Sequence, residues 1–141
     1  MEAPRRSRTT MSAMSDYTIT NLHDVEDIAP KSGIAENGTV RFPRETVGAT
    51  GTGFAHLQLK PGKRHPFPHR HEQAEEVYLV LSGSGRVKLE DELHDLRAYD
   101  IVRVAPQVTR GFEAGSDGLE LLAFGARYEG DGEIVASFWE K

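Results

Sequence analysis

His69 and His71 are separated by a single residue, and Glu76 follows shortly after them. On an extended strand successive side chains alternate between faces, so this spacing sends both imidazoles to the same side. Two neutral nitrogens and one carboxylate oxygen form a ligand set for a divalent ion such as iron, manganese, zinc or nickel. They also leave coordination positions open for water or a substrate. Tyr78 lies two residues beyond Glu76 and shares its face. Its hydroxyl is either a contact for a bound ligand or the tip of a packed aromatic. His65 stands four residues before His69, with Pro66 and Pro68 in between, so no regular period fixes its direction. It is a spare ligand, a hydrogen-bond partner behind a ligand, or a solvated histidine at the rim of a pocket.

Other chemistries are excluded or unsupported. The 141 residues include no cysteine, so a thiolate metal site, a disulfide and a cysteine nucleophile are ruled out. No Gly-x-Ser-x-Gly elbow occurs, and no glycine-rich phosphate loop precedes a helix. The formal net charge of −5 argues against a general nucleic-acid binder. No apolar run approaches the roughly 20 residues of a membrane-spanning helix. A hydrophobic content of 38% suits one domain with one core.

The elements that must position these residues read as strands. Tyr17 to Thr20 suits an edge strand. Asn21 is a candidate N-cap for a short helical turn through Ile28, and Pro30 and Gly33 end it. Thr39 to Phe42 is a short strand. From Gly53 onward Ala55, Leu57 and Leu59 alternate with Phe54, His56 and Gln58. In that alternation His56 reads as a hydrogen-bonded core histidine, whereas His23 and His94 read as surface residues. Val77 to Leu81 is an apolar run that ends at Ser82-Gly83-Ser84-Gly85, which reads as a hairpin turn. Arg86, Lys88 and Glu90 alternate with Val87 and Leu89, which predicts a strand with one wet face. Short strands at His94 to Ala98, Ile101 to Val104 and Leu119 to Phe124 follow, with a turn at Gly115 to Gly118. Glu133 to Trp139 is a last strand or a lid. Seven or more short strands with frequent turns indicate an all-β sandwich or barrel. Residues 1–14 differ: Arg5, Arg6 and Arg8 make them basic, and they are expected to be a disordered tail ahead of a single domain over residues 15–141, with Met11 and Met14 as alternative starts.

The stretch from Gly62 to Gly83 resembles the first motif of the cupin superfamily: a glycine, His-x-His, a glutamate and, six residues later, a second glycine. Glu76 rather than Glu75 keeps the spacing to Gly83. The segment Tyr99 to Phe112 resembles the second motif in shape, with Tyr99, Ala105 and Gln107 where Gly, Pro and Gly are usual. Arg110 occupies the place of the fourth ligand histidine, and Ala114 that of an asparagine. The resemblance covers about residues 50 to 125. It implies a double-stranded β-helix, or jelly-roll barrel, preceded by a short helical turn. It implies a divalent metal on His69, His71 and Glu76, and a small acidic or sugar-like ligand in the barrel. The chemistry implied is that of a metal-dependent oxygenase, isomerase or decarboxylase. Arg110 then has three readings: it binds an anionic group of the ligand, it replaces the metal by pairing with Glu76, or it faces solvent. Phe112 shares its face and is a candidate ligand contact. The alternative function is a non-catalytic, metal-free binding or sensing module. A homodimer is implied, with Val77, Leu79 and Leu81 as its apolar outward set, and Phe67, Phe138 and Trp139 as groups that close the barrel mouth or join the interface. A cytoplasmic location is expected, with no nucleic-acid or membrane partner.

Overall fold

A computed structural model describes residues 16–140; the basic tail expected over residues 1–14 lies outside them. The order of elements is β1 (Gly38–Arg41), α1 (Arg44–Val47), β2 (Thr52–Leu59), β3 (His69–His71), β4 (Glu76–Leu89), β5 (Glu92–Arg97), β6 (Ile101–Val104), β7 (Arg110–Ala126) and β8 (Gly132–Ile134). Together the strands form one eight-stranded, curled sheet, the all-β architecture expected.

Two long strands set the shape. β4 and β7 pair antiparallel from Glu76↔Gly125 to Leu89↔Arg110, with register shifts between Val80 and Ser82 and between Gly83 and Gly85. Strands this long must bend, and such bulges bend them. Ser82 to Gly85 is therefore not a hairpin turn, and neither is Gly115 to Gly118. Both lie inside continuous strands, and their glycines admit a close approach of two backbones rather than a chain reversal. At Gly83, with φ 81°, an added Cβ would sit 2.1 Å from the Gly118 carbonyl oxygen.

The other strands attach to this pair. β2 lies along the second half of β7, and β1 lies on β2. β6 and β5 flank the two halves of β4. β3 touches β7 at His69↔Arg110 and pairs with β8 along its length. The inward faces meet in a core that includes Leu57, Leu59, Val80, Val87, Val104 and Leu121, all buried. Each such side chain contributes roughly 1.5–3 kcal/mol on leaving water.

Several local expectations are corrected. Tyr17 to Thr20 lies outside the sheet, with Tyr17 80% exposed. The helical turn is a 3-10 turn of three residues, Leu22–Asp24, capped by Asn21 as expected but ending well before Ile28. Asp27 explains its shortness: Oδ1 accepts from the backbone N–H of Ala29 and of Val40, which draws the chain onto β1. Helix α1, after Pro43, has no counterpart in the sequence reading. The strand placed at His94 to Ala98 begins earlier, at Glu92, because Glu90 adopts φ 53° and reverses the chain there. The segment Glu133 to Trp139 resolves into β8 and a 3-10 turn, Phe138–Glu140. That turn covers Lys88, which is only 4% exposed rather than wet. Its Nζ donates to the Phe138 carbonyl and lies 4.4 Å from the Phe138 ring centre, while Arg64 stacks over Trp139 at 4.6 Å. His56 is buried with Nε2 2.7 Å from Glu120 Oε2, and His23 and His94 are exposed, as expected. Among the described residues no helix is long and apolar enough to cross a membrane.

Candidate functional site

The site is built where β3, β4 and β7 begin. The period of two on β3 brings both imidazoles to one face, with ring centres 5.0 Å apart. Glu76 opens β4 opposite Gly125, where an added Cβ would fall 2.8 Å from the Glu75 carbonyl oxygen. Glycine thus lets the start of β4 press against β7. Arg110 opens β7 directly across from His69, so their side chains are neighbours.

All of these groups converge on one atom, Glu76 Oε1. His69 Nε2 lies 3.2 Å from it and His71 Nε2 3.1 Å. Tyr78 donates its hydroxyl to it at 2.5 Å, and Arg110 Nη1 donates at 2.8 Å. The Arg110 side chain is 0% exposed. Its Nε donates to the Val108 carbonyl, and Nη2 to those of Ala105 and Pro106.

The far nitrogens of the two imidazoles decide what the near ones can do. His69 Nδ1 faces the Phe67 carbonyl at 3.2 Å, and His71 Nδ1 faces Asp131 Oδ2 at 3.1 Å. A carbonyl and a carboxylate only accept, so both Nδ1 atoms carry the proton. In each neutral ring the lone pair is then on Nε2, within 3.2 Å of the carboxylate. His71 Nε2 is buried and lies off the hydrogen-bonding direction to Glu76, so it has no hydrogen-bond partner among the described residues. Two lone pairs facing an anion repel each other unless positive charge lies between them. A proton on an imidazole supplies that charge, and so does a metal ion.

The electrostatics follow from this crowding. Burial alone would raise the Glu76 carboxyl, but the adjacent His69 and His71 imidazoles and the Tyr78 hydroxyl hold it far below the usual carboxylate range. The Glu76 carboxylate raises the His71 imidazole above its ordinary value, against the opposing effects of burial and Arg110. Burial pushes the Tyr78 hydroxyl well above its ordinary value. For Asp131 burial acts upward, and the backbone N–H groups of Ala74 and Gln73 outweigh it and lower the carboxyl.

A metal fits this donor set. The three ligand atoms of His69, His71 and Glu76 lie within 4.8 Å of one another. Ligands bound at about 2.1 Å and at right angles to each other stand about 3 Å apart, close to the two nitrogen–oxygen separations in this site. Asp131 supports His71 from behind, as carboxylates commonly support ligating imidazoles. Arg110 opposes the fit by placing a fixed positive charge against the carboxylate ligand.

A cavity of about 570 Å³ opens above His71, Glu76 and Asp131. Not every candidate residue reaches it. Arg110 and Tyr78 meet Glu76 from the buried side, so Arg110 has no free face for a ligand's anionic group and is not a surface residue. Phe112 is 3% exposed and stacks on Tyr78 at 4.7 Å, so it is a core residue rather than a ligand contact. His65 is half-buried rather than solvated. Its Nδ1 accepts from the Phe67 N–H, and its Nε2 is buried without a partner among the described residues. Burial lowers its pKa to about 4, with the nearby His69 adding to the effect. Asp131 was not foreseen, since it lies 60 residues from His71 with no local motif around it. The cavity wall residues Phe42, Arg44 and Tyr128 were not foreseen either.

Comparison with known proteins agrees with this picture. The cupin domain family model matches residues 55–124. No curated protein matches the chain. A cupin protein from Bacteroides fragilis is similar in structure, with 25% identity, a TM-score of 0.66 and coverage of 83% of this chain and 89% of that one. A sugar phosphate isomerase of the cupin superfamily from Silicibacter pomeroyi has 16% identity, a TM-score of 0.67 and coverage of 82% and 80%. The polyketide cyclase RemF from Streptomyces resistomycificus has 20% identity, a TM-score of 0.67 and coverage of 84% of each chain. The curled sheet is thus of the double-stranded β-helix type, and the chain belongs to the cupin superfamily.

Proposed function

We propose that this cupin binds one divalent metal through His69, His71 and Glu76, at the floor of a cavity that accepts a small organic ligand. The observation that carries the reading is the pair of Nδ1 contacts to acceptors that need a proton, which leaves both Nε2 lone pairs beside the same carboxylate. A bound ion would act as a Lewis acid on a ligand oxygen. The protein's own groups orient the ligand set: Phe67 and Asp131 hold the rings, and Tyr78 and Arg110 hold the carboxylate. Isomerisation and cyclisation, named for two of the structural relatives, are reactions that a Lewis acid can assist. A homodimer is part of the proposal, joined through the outer sheet face near Val77, Leu79 and Leu81, where Ile101 is 69% exposed and Phe124 38%; mass measurement in solution tests it.

The direct test is elemental analysis of untagged protein, followed by thermal unfolding with manganese, iron, nickel or zinc. At one hundred times Kd an ion adds about 2.7 kcal/mol to stability. Wild-type protein is expected to gain this, and His69→Ala and His71→Ala are expected to lose it. An empty wild type whose melting temperature no ion changes would overturn the proposal.

One observation favours a second reading. The Arg110 guanidinium stands in the fourth-ligand position, wholly buried and 2.8 Å from Glu76. In that reading the cation replaces the metal, the imidazoles are protonated, and the barrel is a metal-free binding module. Divalent ions then leave stability unchanged while organic ligands still raise it.

A further inference from the structure

The cavity lining points to the class of ligand. Its volume, about 570 Å³, suits a small organic molecule. Its walls include Val25, Ile28, Phe42, Phe54 and Tyr128, and its floor includes Ala55, Ala74 and Ala123. Apart from Thr46 and the Tyr128 hydroxyl, the polar groups among the described lining residues are charged or imidazole side chains. A polyol placed here would leave the hydroxyls that face the apolar walls short of partners, a cost that disfavours it. An apolar body meets no such cost and covers aromatic surface that is otherwise wet, since Phe42 is 53% and Tyr128 40% exposed.

The charged lining residues differ in how far they are engaged. Lys31 and Glu26 form an ion pair at 2.6 Å and offset each other; Arg127 also lines the cavity but is exposed, reaching only the Tyr128 carbonyl at 3.5 Å. Arg44 is half-buried, its side chain 26% exposed, and its partners are distant: Glu45 Oε1 at 3.5 Å and the Ala49 carbonyl at 3.3 Å. A guanidinium has five N–H donors in a planar fork that matches a carboxylate with two parallel bonds. Arg44 is therefore a cation with donors to spare, set in an aromatic wall. Arg110 cannot play this part, because it is spent on Glu76 and three carbonyls.

We infer that the cavity selects an amphipathic organic carboxylate, its acid group on the Arg44 guanidinium and its apolar body against Phe42, Phe54 and Tyr128. The inference rests on the proposed function only in placing the ligand's other end over His71 and Glu76. Specificity for acids over sugars then resides on the N-terminal side of the domain, in α1, outside both of the motifs that resemble those of cupins.

Calorimetric titration of the full chain tests this, with 3-phenylpropionate, its neutral amide and glucose 6-phosphate as probes. Each is measured with saturating manganese and again with EDTA. The acid is expected to bind at least about tenfold more tightly than the amide, and glucose 6-phosphate more weakly than either. Arg44→Met is expected to remove the preference for acid over amide by weakening the acid alone. Phe42→Ala is expected to weaken acid and amide alike, and the wild-type comparison stands even if Arg44→Met does not fold. Equal affinity for acid and amide, preference for the sugar phosphate, or no binding of any probe overturns the inference. The EDTA arm separates the two proposals. An acid preference that survives EDTA in a protein that takes up no metal keeps this inference and removes the metal. Manganese uptake without acid preference does the reverse.

Discussion

Replacing Arg110 by methionine probes both what holds the site together and what opposes a metal there. The substitution keeps an unbranched chain of similar length but removes the charge and all the N–H donors. Glu76 loses its 2.8 Å partner, and the carbonyls of Val108, Ala105 and Pro106 lose theirs. Breaking a buried pair by removing one partner costs about 3–5 kcal/mol. For a domain of this length that is a fall in Tm of about 10–20 °C at pH 7. The sign of the pH dependence is fixed. The folded-state pKa of Glu76 is depressed, so its contribution to stability is present above its unfolded value and lost as pH falls toward the folded one. The deficit of Arg110→Met is therefore full at pH 7 and narrows as pH falls below the ordinary carboxylate range. Divalent-ion affinity moves the other way, rising about tenfold or more once the like charge is gone. Urea unfolding at pH 7 and pH 4, with and without manganese, reads all three quantities. A variant within about 1 kcal/mol of wild type at pH 7, with unchanged metal affinity, would refute both roles of Arg110, as partner of Glu76 and as opponent of the ion.

Other expectations are sharper in one direction. His65 has its pKa lowered to about 4 from an ordinary 6.5, so its stabilisation is full above pH 6.5 and is lost as pH falls toward 4. At 1.36 kcal/mol per unit, 2.5 units come to about 3 kcal/mol, an upper figure for a half-buried ring. His65→Gln should flatten that part of the unfolding-energy profile, and an unchanged slope would refute the assignment. Asp131→Asn keeps the shape but weakens the hold on His71, so metal affinity should fall about 10–100-fold in competition with a chelator, while an Asp131→Glu variant recovers part of it. Trp139 is the sole tryptophan and sits in the turn over Lys88, so Lys88→Ala should shift its fluorescence to longer wavelength as the turn loosens. A spectrum identical to wild type would show that Lys88 does not anchor the turn.

What could be read in advance depended on range. The pairs His69–His71 and Glu76–Tyr78 each follow from a period of two, and the spacing to Gly83 favours Glu76 over Glu75; the structure brings all four together at Glu76 Oε1. Arg110 entered through a family resemblance that placed it at a ligand position, and its guanidinium does point there. The glycine clusters misled because a glycine that admits a crossing backbone looks, in sequence, like one that turns the chain. Gly83 and Gly118 show the difference only when both strands are in place. Lys88 alternates correctly with Val87 and Leu89, yet it is buried, because Phe138 arrives from 50 residues away to cover it. Asp131 and Arg44 have the same difficulty: each is an ordinary charged residue until a distant segment folds against it.

The pairing of the site strands also determines when the site can exist. His69 is held by Arg110 and Ile134, and Glu76 by Gly125, all of them dozens of residues away in the chain. Sheets closed by such remote partners fold slowly, on the order of milliseconds to seconds, because large loops must close before any contact rewards them. The imidazoles and the glutamate meet only once these remote strands have paired. If the proposed metal binds there, an ion supplied during refolding would be captured only in that slow phase, and the rate of its uptake would time the completion of the barrel.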